Sequence, residues 1–197
     1  MRALLYRILI YCFVFCILAS DSVKAQEQKI TTISRFLAGA EVQWYPAGWL
    51  IGPVANYRIT PKHILNTRIA INIANRHNWS GLNDDERGVG YGGSIGYRYL
   101  FHPSKNSFFI GTRGDLFRSV IKWKNKPGTP QETSGSTTII VYQPSAELGY
   151  WLNTAHDKLH IVFAGGAGKE INVKTTGREV GQGGMWLLSI SMFRIID

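Results

Sequence analysis

The sequence predicts an all-β fold, an eight-stranded antiparallel up-and-down transmembrane β-barrel, and three observations predict it. The chain carries 21 glycines together with 6 Trp, 9 Tyr and 9 Phe, a composition that disfavours helices and suits many strands with close-packed interiors. Apolar and polar residues alternate with period two in eight separate stretches, most clearly in Tyr91 to Phe101. There Tyr91, Gly93, Ile95, Tyr97, Tyr99 and Phe101 share one face, and Gly92, Ser94, Gly96, Arg98 and Leu100 share the other. After the first hairpin, short turns near 61, 104 and 155 alternate with longer polar loops near 82, 130 and 179, the asymmetry of a barrel that crosses a membrane.

The N-terminus reads as an export signal. Arg2 and Arg7 precede an unbroken apolar run from Ile8 to Ala19, and Val23 and Ala25 occupy the small-residue positions before a cut at Gln26. The run is shorter than the ~20 apolar residues of a spanning helix. Residues 1–25 are therefore expected to be a signal peptide, and 26–33 a polar periplasmic lead to a barrel domain over 34–197. Both cysteines, Cys12 and Cys16, fall in the signal, so neither disulfides nor thiolate metal sites are expected in the exported chain. Losing Arg2, Arg7, Lys24 and Asp21 takes the formal net charge from +9 to +7. Export turns that basic balance away from nucleic acid and toward anionic lipid or lipopolysaccharide phosphate.

Each strand can be justified in order. The first runs from about Ser34 to Tyr45, with Phe36, Ala38, Ala40, Val42 and Trp44 opposite Leu37, Gly39, Glu41 and Gln43. The second, about Leu50 to Thr60, contains Pro53, which has no amide proton for a central ladder and so predicts a bulge. The third, about Ile64 to Ala74, sets Ile69, Ile71 and Ile73 against Arg68, Ala70 and Asn72, and a polar connection over Asn75 to Gly88 leads to the fourth, Tyr91 to Phe101. The fifth starts at Ser107, and its phase blurs near Phe117, where a second bulge is expected because Phe117, Ile121 and Trp123 fall out of step with Phe108, Ile110, Thr112 and Leu116. The sixth spans Thr137 to Trp151, the seventh Lys158 to about Val173, and the eighth begins at Met185.

Charges gather on the face opposite the apolar stripe: Glu41, Arg58, Arg68, Arg98, Arg113, Asp115, Glu147 and His160. In a membrane barrel that face lines the inside, and eight strands leave an interior that side chains fill. The arginines are then expected to meet Glu41, Asp115 and Glu147 in a paired network, since unpaired charge at low dielectric is costly. A soluble periplasmic barrel binding protein, such as a lipocalin-like carrier, would put the aromatics inside instead. A second cluster, Lys122, Lys124, Lys126, Lys169, Lys174 and Arg178, projects near the outer end of strands five to seven. It is a candidate for contact with lipopolysaccharide phosphates.

With those segments in place, the chain resembles the small eight-stranded outer-membrane barrels of the OmpA and OmpX type. The eight alternating segments, the Gly96-Tyr97-Arg98-Tyr99 pattern and the strand-like stretch Met185 to Ile196 carry the resemblance. It implies a monomer in a bacterial outer membrane, in contact with its lipid, with a structural or surface-interaction role and no cofactor. One departure is the end of the chain, Phe193-Arg194-Ile195-Ile196-Asp197, where such barrels commonly finish on an aromatic residue.

Because small barrels of this kind include lipid A modifying enzymes, the histidines are candidate catalysts. A serine hydrolase needs a serine in reach of a histidine that an acidic group orients. His160 has Val162 rather than a serine two residues on, His63, His102 and His156 lie at turns, and His77 lies in an outer loop near Ser80 and Asp84. No catalytic residue is assigned. Asp84-Asp85-Glu86 lacks the alternating ligands of a calcium loop, so no metal is assigned either.

Overall fold

The computed structural model describes residues 35–77, 81–103, 106–154 and 159–196. The segments read as signal peptide and periplasmic lead lie outside the described residues, as do Ser80 and His156. Eight strands form: β1 (Phe36–Tyr45), β2 (Gly48–Arg58), β3 (His63–His77), β4 (Asp85–Leu100), β5 (Ser107–Asn125), β6 (Thr133–Asn153), β7 (Leu159–Thr176) and β8 (Gly183–Ile195). Each pairs antiparallel with its neighbours in sequence, and β1 pairs with β8, closing the barrel.

The register fixes how the strands lean. From Phe36, paired residues run through Tyr57, Leu65, Tyr97, Thr112, Ala146 and Ala167 to Trp186. Trp186 lies two residues before Leu188, the partner of Trp44. The circuit thus closes about ten residues further along β1, which tilts the strands by roughly 40°.

The wall is uneven in height. β1 and β2 have 10 and 11 residues, whereas β5 and β6 have 19 and 21. The polar stretches read as loops are partly strand: Asp85 to Gly88 belongs to β4 and Thr133 to Ser136 to β6. Past the apolar zone both faces of a strand meet polar surroundings, so alternation fades while pairing continues.

Neither expected bulge forms. Pairing of β2 with β3 lapses at Gly52 and Pro53, then resumes in unchanged register at Val54↔Arg68; the missing amide costs a rung and leaves the phase intact. β5 pairs without a shift along its whole length, and Phe117 and Ile121 are buried because they face inward. The phase blur was an apolar layer inside the barrel. The register shift instead falls between Ile140 and Val141, where β6 meets β7.

Outward side chains are apolar around the circumference: Ile69 is 70% exposed, Tyr91 63% and Phe108 62%. Inward side chains are stacked in layers. Nearest the chain termini, Leu37, Ile64, Leu100, Phe109, Trp151 and Phe193 form one buried apolar cluster, with Trp151 stacked on Phe193 at 5.7 Å. Nearer the long loops, Tyr45, Leu50, Phe117, Ile121, Ile139 and Leu187 belong to a second. Ionic side chains lie between them.

Candidate functional site

Alternate residues of a strand share a face, so Glu41 and Gln43 both enter the lumen from β1, and Arg113 and Asp115 both enter from β5. Arg68 comes from β3, Arg98 from β4, Glu147 from β6 and Ser191 from β8. Glu41 Oε1 accepts from Arg68 Nη1 at 2.5 Å and Arg113 Nη1 at 2.7 Å, while Ser191 Oγ donates to Oε2 at 2.7 Å. Arg68 Nη2 donates to Asp115 Oδ1 at 2.5 Å. Arg98 Nε and Nη2 donate to Glu147 Oε2 at 3.3 and 3.2 Å, and Arg113 Nη2 lies 2.5 Å from Glu147 Oε1. Gln43 Oε1 accepts from Arg68 at 2.9 Å and Arg113 at 2.6 Å.

This middle layer holds three guanidinium groups and three carboxylates, all buried. Their charges balance, which is the condition for keeping ions at low dielectric. Arg58, expected among them, stands apart. It enters from β2 near the chain termini, and its guanidinium carbon lies 5.8 Å from the ring centre of Trp151. The lower apolar cluster separates it from the network.

A second ionic group, which the sequence reading missed, closes the outer mouth. Arg76 Nε lies 2.9 Å from Glu86 Oε2, and Arg76 Nη1 lies 2.9 Å from Glu170 Oε1. Arg76 Nη1 also donates to the Gly181 carbonyl at 3.0 Å, and the Gly181 amide donates to Glu86 Oε1 at 3.1 Å. Asn83 Nδ2 donates to Glu179 O, Asn172 Nδ2 to Val180 O, and Thr137 Oγ1 to Arg178 O. The β7–β8 connection is thereby folded across the opening, with Val180 packed in the upper apolar cluster. Gly177, at φ 117°, permits the turn that starts it. Alternation continuing past Ala74 to Arg76 was the signal available in the sequence.

The basic cluster divides. Lys124 Nζ donates to Glu132 Oε1 at 2.9 Å, Lys126 Nζ donates to Gln131 Oε1 at 2.7 Å, and the Arg178 guanidinium lies 4.8 Å from the Trp123 ring centre. Lys122, Lys169 and Lys174 are exposed on the outer wall. Arg118 and Arg87, which the sequence reading left out, are exposed there too.

The histidines are dispersed. His63 Nδ1 hydrogen-bonds the Tyr97 hydroxyl, His77 Nδ1 lies 3.0 Å from Asp85 Oδ1, and His160 Nδ1 lies 2.7 Å from Asn153 Oδ1. None of these contacts is with a serine. Asp84, Asp85 and Glu86 also diverge: Asp84 Oδ2 accepts from the Lys126 amide, Asp85 faces His77 and Arg87, and Glu86 faces the lumen.

A closed, up-and-down, eight-stranded β-barrel with an apolar outer wall is the class that fold and site define. Similar solved structures include the N-terminal β-barrel domain of Pseudomonas aeruginosa OprF, 13% identical over 81% of this chain and 97% of that one, TM-score 0.42. Neisserial surface protein A is 15% identical over 82% and 96%, TM-score 0.46, and Ail, the attachment invasion locus protein of Yersinia pestis, is 14% identical over 81% and 96%, TM-score 0.40. No family model and no curated protein matches the chain.

Proposed function

We propose that the chain is an integral protein of the bacterial outer membrane, a monomeric barrel whose sealed interior makes it a structural or surface-interaction element rather than a pore. One observation carries the reading: the side chains are inverted relative to a soluble barrel. Ile69, Tyr91, Ile95 and Phe108 stand exposed on the wall, while Glu41, Arg68, Arg98, Arg113 and Asp115 are buried inside it. Water would reject that arrangement; a hydrocarbon surround favours it. The same inversion speaks against a soluble carrier, whose apolar side chains would line the cavity.

The lumen is filled at three heights, by the lower apolar cluster, the paired ionic layer and the upper apolar cluster. Buried Trp151, Phe109 and Phe117 in those layers argue against an aqueous path for ions. The outer rim, including Lys122 and Lys174, faces the phosphate-bearing surface of the membrane. Lipid A modification is the weaker reading, because the described histidine contacts do not assemble a nucleophile with its base.

Outer-membrane fractionation combined with planar-bilayer recording tests the proposal. The full chain is expected in that fraction, in a form whose gel migration changes on heating, and without stable conductance. Recovery as a soluble periplasmic protein, or reproducible channel openings, would overturn it.

A further inference from the structure

We propose that the outer half of the wall over β4 to β7 holds a single lipid A molecule, with one acyl chain in a groove of small side chains and a phosphate between Arg118 and Lys169. The inference rests on the outer-membrane reading above and adds a defined site to it.

Over most of the belt, large side chains stand outward. On β5 to β7 the register instead groups small ones: Thr112 faces Ala146, Ala146 faces Ala167, and Gly114 faces Pro144. The dip they leave is a groove of about 560 Å³, walled on β4 by Ile95 and Tyr97. Tyr142 overhangs it, its ring and hydroxyl 3.2 Å from where a Cβ at Gly114 would stand. An apolar groove on a lipid-facing wall gains dispersion contacts when a flexible hydrocarbon chain fills it.

The groove's depth and its upper end select the lipid. From Thr112 to Arg118 is roughly 20 Å of strand at ~3.3 Å per residue. At the strand tilt of roughly 40° this is about 15 Å of membrane depth, half of the ~30 Å hydrocarbon core and hence one leaflet. Arg118 faces Ile140, the next outward residue on β6 beyond Tyr142. Lys169 follows Gly168, the partner of Ser145, and so stands beside Pro144. These two cations therefore lie diagonally on either side of Tyr142, Arg118 toward the longer loops and Lys169 level with Pro144.

Both are exposed, and neither forms an ion pair with a carboxylate among the described residues. They lie on the side of the longer loops, which places the site in the outer leaflet. The phosphate-bearing lipid of that leaflet is lipopolysaccharide, and two long cationic side chains reaching in from either side of Tyr142 suit its phosphate.

The test uses the full chain purified in mild detergent, exposed to equal amounts of lipid A and phosphatidylglycerol, with retained lipid read by native mass spectrometry. One lipid A per chain is expected on the unaltered protein. The pair Arg118→Ala/Lys169→Ala removes the cations and Gly114→Leu/Ala146→Leu fills the groove; each is expected to lower lipid A retention roughly tenfold or more. A heat-dependent shift in gel migration shows that each variant is folded, and the two pairs fail by different routes if one does not fold. Unchanged retention in a folded variant of either pair, equal retention of phosphatidylglycerol, or a groove-dependent dimer would overturn the proposal. If the protein stays in the outer-membrane fraction but retains no lipid A, only this inference fails. If it is soluble, the membrane reading fails with it.

Discussion

Glu41 on β1 and Arg113 on β5 belong to opposite sides of the barrel and meet across its lumen, with Arg113 Nη1 2.7 Å from Glu41 Oε1. Arg68 shares that same oxygen, and Ser191 holds the other. Glu41 is the one carboxylate within ion-pair distance of all three arginines of the middle layer, with Arg98 at 3.7 Å. Glu41→Gln would leave three buried cations facing two carboxylates. Such a broken buried pair is expected to cost about 3–5 kcal/mol, measured by denaturant unfolding in lipid vesicles. Glu41→Gln/Arg113→Gln should cost less than the sum of the single changes. A single-variant loss below about 1 kcal/mol would mean that the network is hydrated rather than sealed.

Gly149 tests the packing below that layer. A Cβ added there would stand 2.4 Å from Phe109 Cζ and 2.3 Å from the Phe163 carbonyl oxygen. The obstacle includes backbone, so rotation of the ring does not relieve it. Gly149→Ala is expected to destabilise the barrel by about 1–3 kcal/mol. Gly184→Ala meets nothing within 4 Å and should stay within about 0.5 kcal/mol of the unaltered protein. The contrast, read by unfolding of both variants side by side, separates packing from a general cost of replacing glycine.

The strand count and the inward placement of Glu41, Arg68, Arg98 and Arg113 were legible because a closed wall with an apolar outer face and a polar lumen keeps polarity in strict alternation. Two things defeated the sequence reading, and both are physical. Phe117 and Ile121 are apolar and inward, so they mimic a slipped phase, and that error hid Arg118 on the outer face. Arg58 carries the right charge on the right face, but height along the lumen separates it from the carboxylates. Periodicity reports the face; height depends on tilt and register, which only pairing supplies. The mouth closure was hidden for another reason, since Arg76, Glu86, Glu170 and Gly181 come from three strands and a loop with no shared local pattern.

Glu132 gives the outer hairpin an acid-sensitive hold. Its carboxylate accepts from the Gly128 amide at 2.9 Å and from Lys124 Nζ at 2.9 Å, and these hold it below its ordinary carboxylate range. A carboxyl group held low supplies its ordering above the ordinary range, near pH 4, and loses it as pH falls through the depressed value. The Gly128 amide should therefore exchange faster with solvent, relative to neighbouring loop amides, only on strong acidification. Glu132→Gln should bring faster exchange at neutral pH. An exchange rate indifferent to both changes would remove Glu132 as the tie.

Closure of the mouth depends on Glu86 more than on any residue of the connection itself. Its carboxylate accepts from the Gly181 amide at 3.1 Å and from Asn83 at 2.7 Å, and it pairs with Arg76 at 2.9 Å. Glu86→Ala removes all three at once and leaves Arg76 with Glu170 and the Gly181 carbonyl. The barrel wall is paired by backbone on both sides of position 86, so the change should spare the strands and free the connection. Trypsin should then cleave after Arg178 at least several-fold faster, the scale expected when about 1–3 kcal/mol of hydrogen bonding is lost from a local closure. Heat-dependent gel migration should stay that of a folded barrel, and planar-bilayer recordings should remain silent, because Phe117 and the ionic layer lie below the mouth. Cleavage at the unaltered rate would place the hold elsewhere, on Thr137 and Asn172. Conductance without further change would mean that the folded connection, rather than the filled lumen, seals the barrel.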